Sequence, residues 1–139
     1  MSSEIKRPKT IIDATNASLG RLASYAAKQA LLGKEIVIVN CSEAVITGNR
    51  KMIISEYLVT RQRGGSSMRG PFFPKQPERI VKRTIRGMLS HRQGRGEAAM
   101  QRIMCYNHTP QEYKDSKKIL AGKEKTTTTL KLSELSKEI

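Results

Sequence analysis

The chain has 139 residues, 37% of them hydrophobic, and its 26 Lys and Arg against 12 Asp and Glu leave a formal net charge of +14 at pH 7. That length suits one compact domain with tails, large enough to bury a core without help from disulfides or metal. So large a positive charge repels itself unless a polyanion answers it, and nucleic acid and an anionic membrane both qualify on sign.

In chain order, Thr10–Ala14 reads as a short strand ending in the turn formers Thr15 and Asn16. Leu19, Leu22, Ala23, Ala26, Ala27, Ala30 and Leu31 then recur along one helical face. Ser18 or Asn16 is placed to cap that helix, and Gly33 to end it in the left-handed conformation. Most of the face is alanine, so the helix can lie close on a sheet. Glu35–Asn40 is a continuous β-branched run, the pattern of a strand buried on both faces. Strand, helix and strand in this order predict a parallel βαβ unit with a right-handed crossover. Ala44–Thr47 is a candidate third strand, and Asn49–Thr60 an amphipathic helix carrying Met52, Ile53, Glu56 and Tyr57.

Residues 61–77 lose all periodicity to Gly, Ser, Pro and basic residues, and are predicted to form an extended basic loop. A third helix begins near Pro77, with Glu78 suited to its first turn. Its apolar stripe is Ile80 or Val81, Ile85, Met88 and Leu89; Arg79, Lys82, Arg83 and Arg86 share a face away from it. A short helix through Glu97 leads to a last strand at Ile103–Tyr106, closed by Asn107–Pro110. Residues 111–128 are polar and rich in Lys and Thr, with no core-forming period. Leu130, Leu132, Leu135 and Ile139 then suggest a docking segment, against this domain or a neighbour. The expected organisation is one α/β domain over 1–110 and a polar C-terminal tail over 111–139.

Charge is concentrated in the middle of the chain. Residues 61–110 hold eleven Lys and Arg, nine of them Arg, against two Asp and Glu. A planar guanidinium pairs with phosphate and stacks on bases better than an ammonium does, and an Arg block nearly free of acids is not an ordinary solvated surface. Gly-containing basic loops beside a basic helix face suit folded RNA, which is read through shape, phosphate and 2′-OH. Enzyme signals are thin. There is no GxxxxGK[ST], the turn from Ala14 to Arg21 lacks a glycine-rich phosphate fingerprint, and His91 and His108 have no carboxylate motif beside them. Cys41 and Cys105 form no CxxC pair and read as small buried hydrophobes. No stretch approaches the ~20 apolar residues of a membrane span, and MSSEIKRPK has no apolar signal core, so a cytoplasmic chain is expected.

Three blocks carry a family resemblance: IIDATNASLGRLASYAAKQALLGKEIVIVN (Ile11–Asn40), AVITGNR (Ala44–Arg50) and RGPFFPKQPERIVKRTIRGMLSHRQGRG (Arg69–Gly96). They resemble the ribosomal protein L13 family of the large subunit, in its archaeal form. Ser90 departs from the proline that usually follows RGML, and IMCYNHTP departs from the family's usual segment. The resemblance implies a three-layer α/β/α sandwich with a small, mostly parallel four-stranded sheet. It also implies a structural constituent of the ribosome that binds large-subunit ribosomal RNA, helps fold it during assembly and touches neighbouring ribosomal proteins. No cofactor, metal, membrane or small-molecule substrate is expected. From charge and position, the residues expected on RNA are Arg50, Lys51, Arg61, Arg63, Arg69, Lys75, Arg79, Lys82, Arg83, Arg86, His91, Arg92, Arg95 and Arg102. The competing reading is an RNA-processing or RNA-modifying enzyme on the same small α/β core, which a cofactor loop or carboxylate pair would mark.

Overall fold

Strand β1 (Lys9–Asp13) runs into helix α1 (Leu19–Leu31), and the chain returns as β2 (Glu35–Val39), parallel to β1 with Ile12 opposite Ile38. These elements belong to a computed structural model, which describes residues 9–62, 75–114, 118–120 and 129–138. The βαβ unit expected from the apolar pattern is therefore present. Leu19, Leu22, Ala23, Ala26, Ala27 and Ala30 are buried along α1, and Gly33, at a φ of 97°, ends the helix as expected. Leu31 departs from the stripe: at the last position of the helix it is 42% exposed, past the sheet that the alanines cover. Ser18 sits at the cap position, but its side chain makes no capping hydrogen bond.

The main sheet has the order β4-β2-β1-β5, with every pairing parallel, where β4 is Ile103–Cys105 and β5 is Lys118–Leu120. Ile12, Ile36, Ile38 and Ile103 point to the face packed with α1, α3 (Pro77–Met88) and α4 (Gly94–Gln101). The other face presents Ile11, Val37 and Val39 to Tyr113, in the short 3-10 turn Gln111–Tyr113, and to Tyr106. The two tyrosine rings lie 6.3 Å apart. This is the three-layer α/β/α sandwich, with its second layer thin among the described residues. Val37, Val39, Ile36 and Ile38 are all within a few per cent of complete burial, as a strand covered on both faces requires.

Two elements lie elsewhere than the patterns suggest. Strand β3 (Val45–Thr47) does not join the main sheet; it pairs antiparallel with β6 (Thr129–Lys131). The left-handed Asn40 and the 3-10 turn Cys41–Glu43 swing the chain off the end of β2, and Val45 N–H then donates to Ala17 O at 2.9 Å. The fourth strand of the main sheet is β5 instead, in a polar stretch expected to lie in the tail. Helix α5 (Leu132–Glu138) follows β6 directly, and Leu130, Leu132 and Leu135 are at most 1% exposed inside the same core as α1. Beyond residue 110, β5 and β6 pair with β1 and β3, and the leucines of β6 and α5 pack in the core.

At the carboxyl ends of β1 and β2, Asp13 Oδ1 accepts from Thr15 N–H at 3.1 Å, Thr15 Oγ1 at 2.7 Å and Asn40 Nδ2 at 3.0 Å. Thr109 Oγ1 donates to Asn40 Oδ1 at 3.1 Å. Burial pushes the Asp13 carboxyl up, but the bonds from Asn40 and Thr15 and the Lys118 charge outweigh it and hold it below its ordinary 3.8. A carboxyl lowered on folding adds stability above its unfolded value and loses it as pH falls through the folded one. The thermal midpoint is therefore expected to drop more steeply below about pH 4 in the native chain than in Asp13→Asn. Parallel pH profiles for the two would show that the network stores no charge-dependent stability.

Candidate nucleic-acid interface

Helix α3 has a strongly segregated surface because its apolar and basic residues repeat with the same helical period out of phase. Pro77, Ile80, Val81 and Ile85 are buried, while Arg79 and Arg86 are exposed and Lys82 and Arg83 half-buried. Met88, expected in the apolar stripe, is 47% exposed because the helix ends there and Leu89, 6% exposed, fills the core position instead. Glu78 N–H donates to Asn107 Oδ1 at 3.1 Å, so the helix begins at the carboxyl end of β4 and runs back beside α1.

Beyond α3 the chain turns through Ser90–Gln93 into α4, with His91 half-buried and Arg92 and Arg95 exposed. Gly96 makes this turn feasible: a Cβ there would meet Ser90 O at 2.0 Å. Gly96→Ala is expected to force the two segments apart at a cost of about 1–3 kcal/mol, read as a lower urea midpoint. A midpoint unchanged from the native chain would show that the 90–96 backbone yields freely.

The sequence-predicted residues divide by what they touch. Lys75, just ahead of α3, is exposed and contiguous in sequence with its basic face. Lys51 is exposed on α2 (Arg50–Gln62), and Arg61 lies in the last turn of that helix. Arg63 and Arg69 lie outside the described residues. Among the described residues, no ion pair ties Arg79, Lys82, Arg86, Arg92 or Arg95 to an acid. Arg50 is different: its guanidinium stands 3.6 Å from Glu134 and 3.4 Å from Glu138, fastening α2 to α5. Arg102 is also committed to the fold, donating from Nη1 to Ala30 O at 2.8 Å, where a cation favours the helix C-terminus.

Two residues absent from the sequence-based set extend the basic surface. Arg21 and Lys28 are exposed on α1, which packs alongside α3. Their i, i+7 spacing opposite the alanine face was the available signal, masked by the modest net charge of the first sixty residues. The carboxyl edge of a parallel sheet is where α/β enzymes hold ligands. Here Asp13, Thr15, Asn40 and Thr109 spend polar atoms on one another.

Among the described residues, no group of three or more His, Cys, Asp or Glu is arranged to hold a metal ion. No described helix is long and apolar enough to cross a membrane.

Comparison with known proteins supplies the family. Residues 7–112 match the family model described as ribosomal protein L13. The chain is 52% identical over 111 residues to the large ribosomal subunit protein uL13 of Methanosarcina barkeri, covering 79% of each. It is 43% identical over 132 residues to that of Thermoplasma volcanium, spanning 93% of this chain and 96% of the relative. The Methanocaldococcus jannaschii protein of the same name is also 43% identical, over 133 residues, spanning 94% of this chain and 96% of the relative.

Proposed function

Since this chain belongs to the ribosomal protein L13 family, we propose that it is a structural constituent of the large ribosomal subunit that binds large-subunit ribosomal RNA and helps it fold during assembly. The observation that carries this reading is the basic surface on the outer side of α3, continued through His91, Arg92 and Arg95, with the apolar side of the same helix sealed in the core. Phosphate and sugar contacts from such a surface position a folded RNA without reading base identity. The set proposed for RNA is Lys51, Arg61, Arg63, Arg69, Lys75, Arg79, Lys82, Arg83, Arg86, His91, Arg92 and Arg95, with Arg21 and Lys28 at its margin. Arg50 and Arg102 act first in holding the fold. A non-catalytic, cytoplasmic role beside neighbouring ribosomal proteins completes the reading.

The test is sedimentation of a cell lysate through a sucrose gradient, probing for the chain before and after a high-salt wash. Co-migration with large subunits that survives the wash is expected of a protein built into folded RNA. Recovery at the top of the gradient, or release at modest salt, would favour a transient RNA-processing enzyme or a nonspecific compaction protein.

A further inference from the structure

The two cysteines, 64 positions apart in sequence, come together where β2 and β4 end. Cys105 in β4 is the register partner of Ile38 in β2. The chain leaves β2 through the left-handed Asn40 and turns back, so that Cys41 Sγ lies 3.7 Å from Ile38 O. Around that point Tyr106 N–H donates to Ile38 O at 2.8 Å and Cys41 N–H donates to Tyr106 O at 3.0 Å. Cys41 is fully buried in the main core, and Cys105 is half-buried and packed against the same core. The Cys41 thiol is held well above its ordinary range, first by the neighbouring Cys105 thiol and then by burial, with the Glu78 charge adding to both. Glu78 Oε2 is itself buried without a hydrogen-bond partner.

We propose that Cys41 and Cys105 are a latent disulfide, which a small-molecule disulfide oxidant closes across the ends of β2 and β4. The chemistry is two thiol–disulfide exchanges. The more accessible Cys105, as thiolate, attacks oxidised glutathione; the glutathione S–S bond breaks and one glutathione thiolate leaves. Cys41 then loses its proton to solvent, attacks the Cys105 sulfur of the mixed disulfide and expels the second glutathione. Two protein thiols are oxidised and one glutathione disulfide is reduced to two thiols. The second step is the slow one, because Cys41 is buried and held protonated and the thiolate is the attacking form. Closure pins the edge strand β4, which directly follows α4 and Arg102, to the centre of the sheet.

The folded full-length chain is incubated with oxidised glutathione, then examined by intact mass and by non-reducing peptide mapping. The expected product is a monomer two hydrogens lighter than the reduced chain, with one linked peptide pair containing Cys41 and Cys105, reversed by dithiothreitol. Cys41→Ala is expected to stop as a mixed disulfide at Cys105, and Cys105→Ala to remain unmodified, each checked for folding by circular dichroism. If either variant fails to fold, the native chain's peptide map decides. A native chain that stops at the mixed disulfide, cross-links to a second copy, or forms the internal bridge only in denaturant overturns the proposal.

Discussion

Replacing Arg79, Lys82, Arg83 and Arg86 together with glutamine will weaken binding to a large-subunit ribosomal RNA transcript by about 10²–10³-fold at ~100 mM salt. That range assumes an average of about 0.7–1 kcal/mol for each exposed phosphate contact, below the value of a buried charged hydrogen bond. The salt dependence supplies a second readout. Each neutralised phosphate contact lowers the slope of log K against log salt by about one, so a loss of three to four is expected. The fold should persist, because Arg79 and Arg86 are exposed and the buried side of α3 is Pro77, Ile80, Val81 and Ile85. Filter binding over a salt series measures both quantities, with circular dichroism confirming the helix content. Arg50→Gln is the contrasting variant: its charge already faces Glu134 and Glu138, so its effect on affinity is expected to be several-fold at most. An unchanged affinity and slope for the fourfold variant would remove this helix face from the interface.

Much of that surface is legible in the sequence, and the reason is periodicity. The α3 segment has its apolar and basic residues on the same helical repeat, so burying one set necessarily exposes the other. The same holds for β2, whose unbroken Ile36-Val37-Ile38-Val39 run has no polar face to turn outward. Where side chains carry no period, the sequence is silent. Strand β5 is three residues long, begins with a lysine, and earns its place by backbone pairing with β1. Strand β3 shows an apolar pair that fits any sheet, and its partner β6 lies more than eighty residues later. Arg50 and Arg102 illustrate the limit for function: charge is visible in sequence, but its partner is not. Glu134, Glu138 and the carbonyl of Ala30 claim those two guanidiniums through long-range packing.

The last eleven residues offer the sharpest test of how the domain is closed. Leu132 and Leu135 are completely buried, and Leu130 is 1% exposed, in the cluster that holds Leu22, Ile38 and Ile80. Leu132 N–H also donates to Ala44 O at 2.9 Å, tying the start of α5 to the segment that enters β3. Truncating either Leu132 or Leu135 to alanine is expected to cost about 2–5 kcal/mol, the usual range for a buried leucine replaced without collapse of the space it leaves. Deleting residues 129–139 removes both, Leu130 and the partner strand of β3 at once. Set against a typical domain stability of about 5–15 kcal/mol, that loss leaves little or no folded population. Urea unfolding followed by circular dichroism gives the single-variant values, and expression of the shortened chain with a proteolysis assay tests the deletion. If the shortened chain keeps the native midpoint, the terminal segment is a separate docking tail and the burial of its leucines adds nothing to the domain. If instead both leucine variants lose several kcal/mol, β6 and α5 are part of the core, and the domain extends to the end of α5.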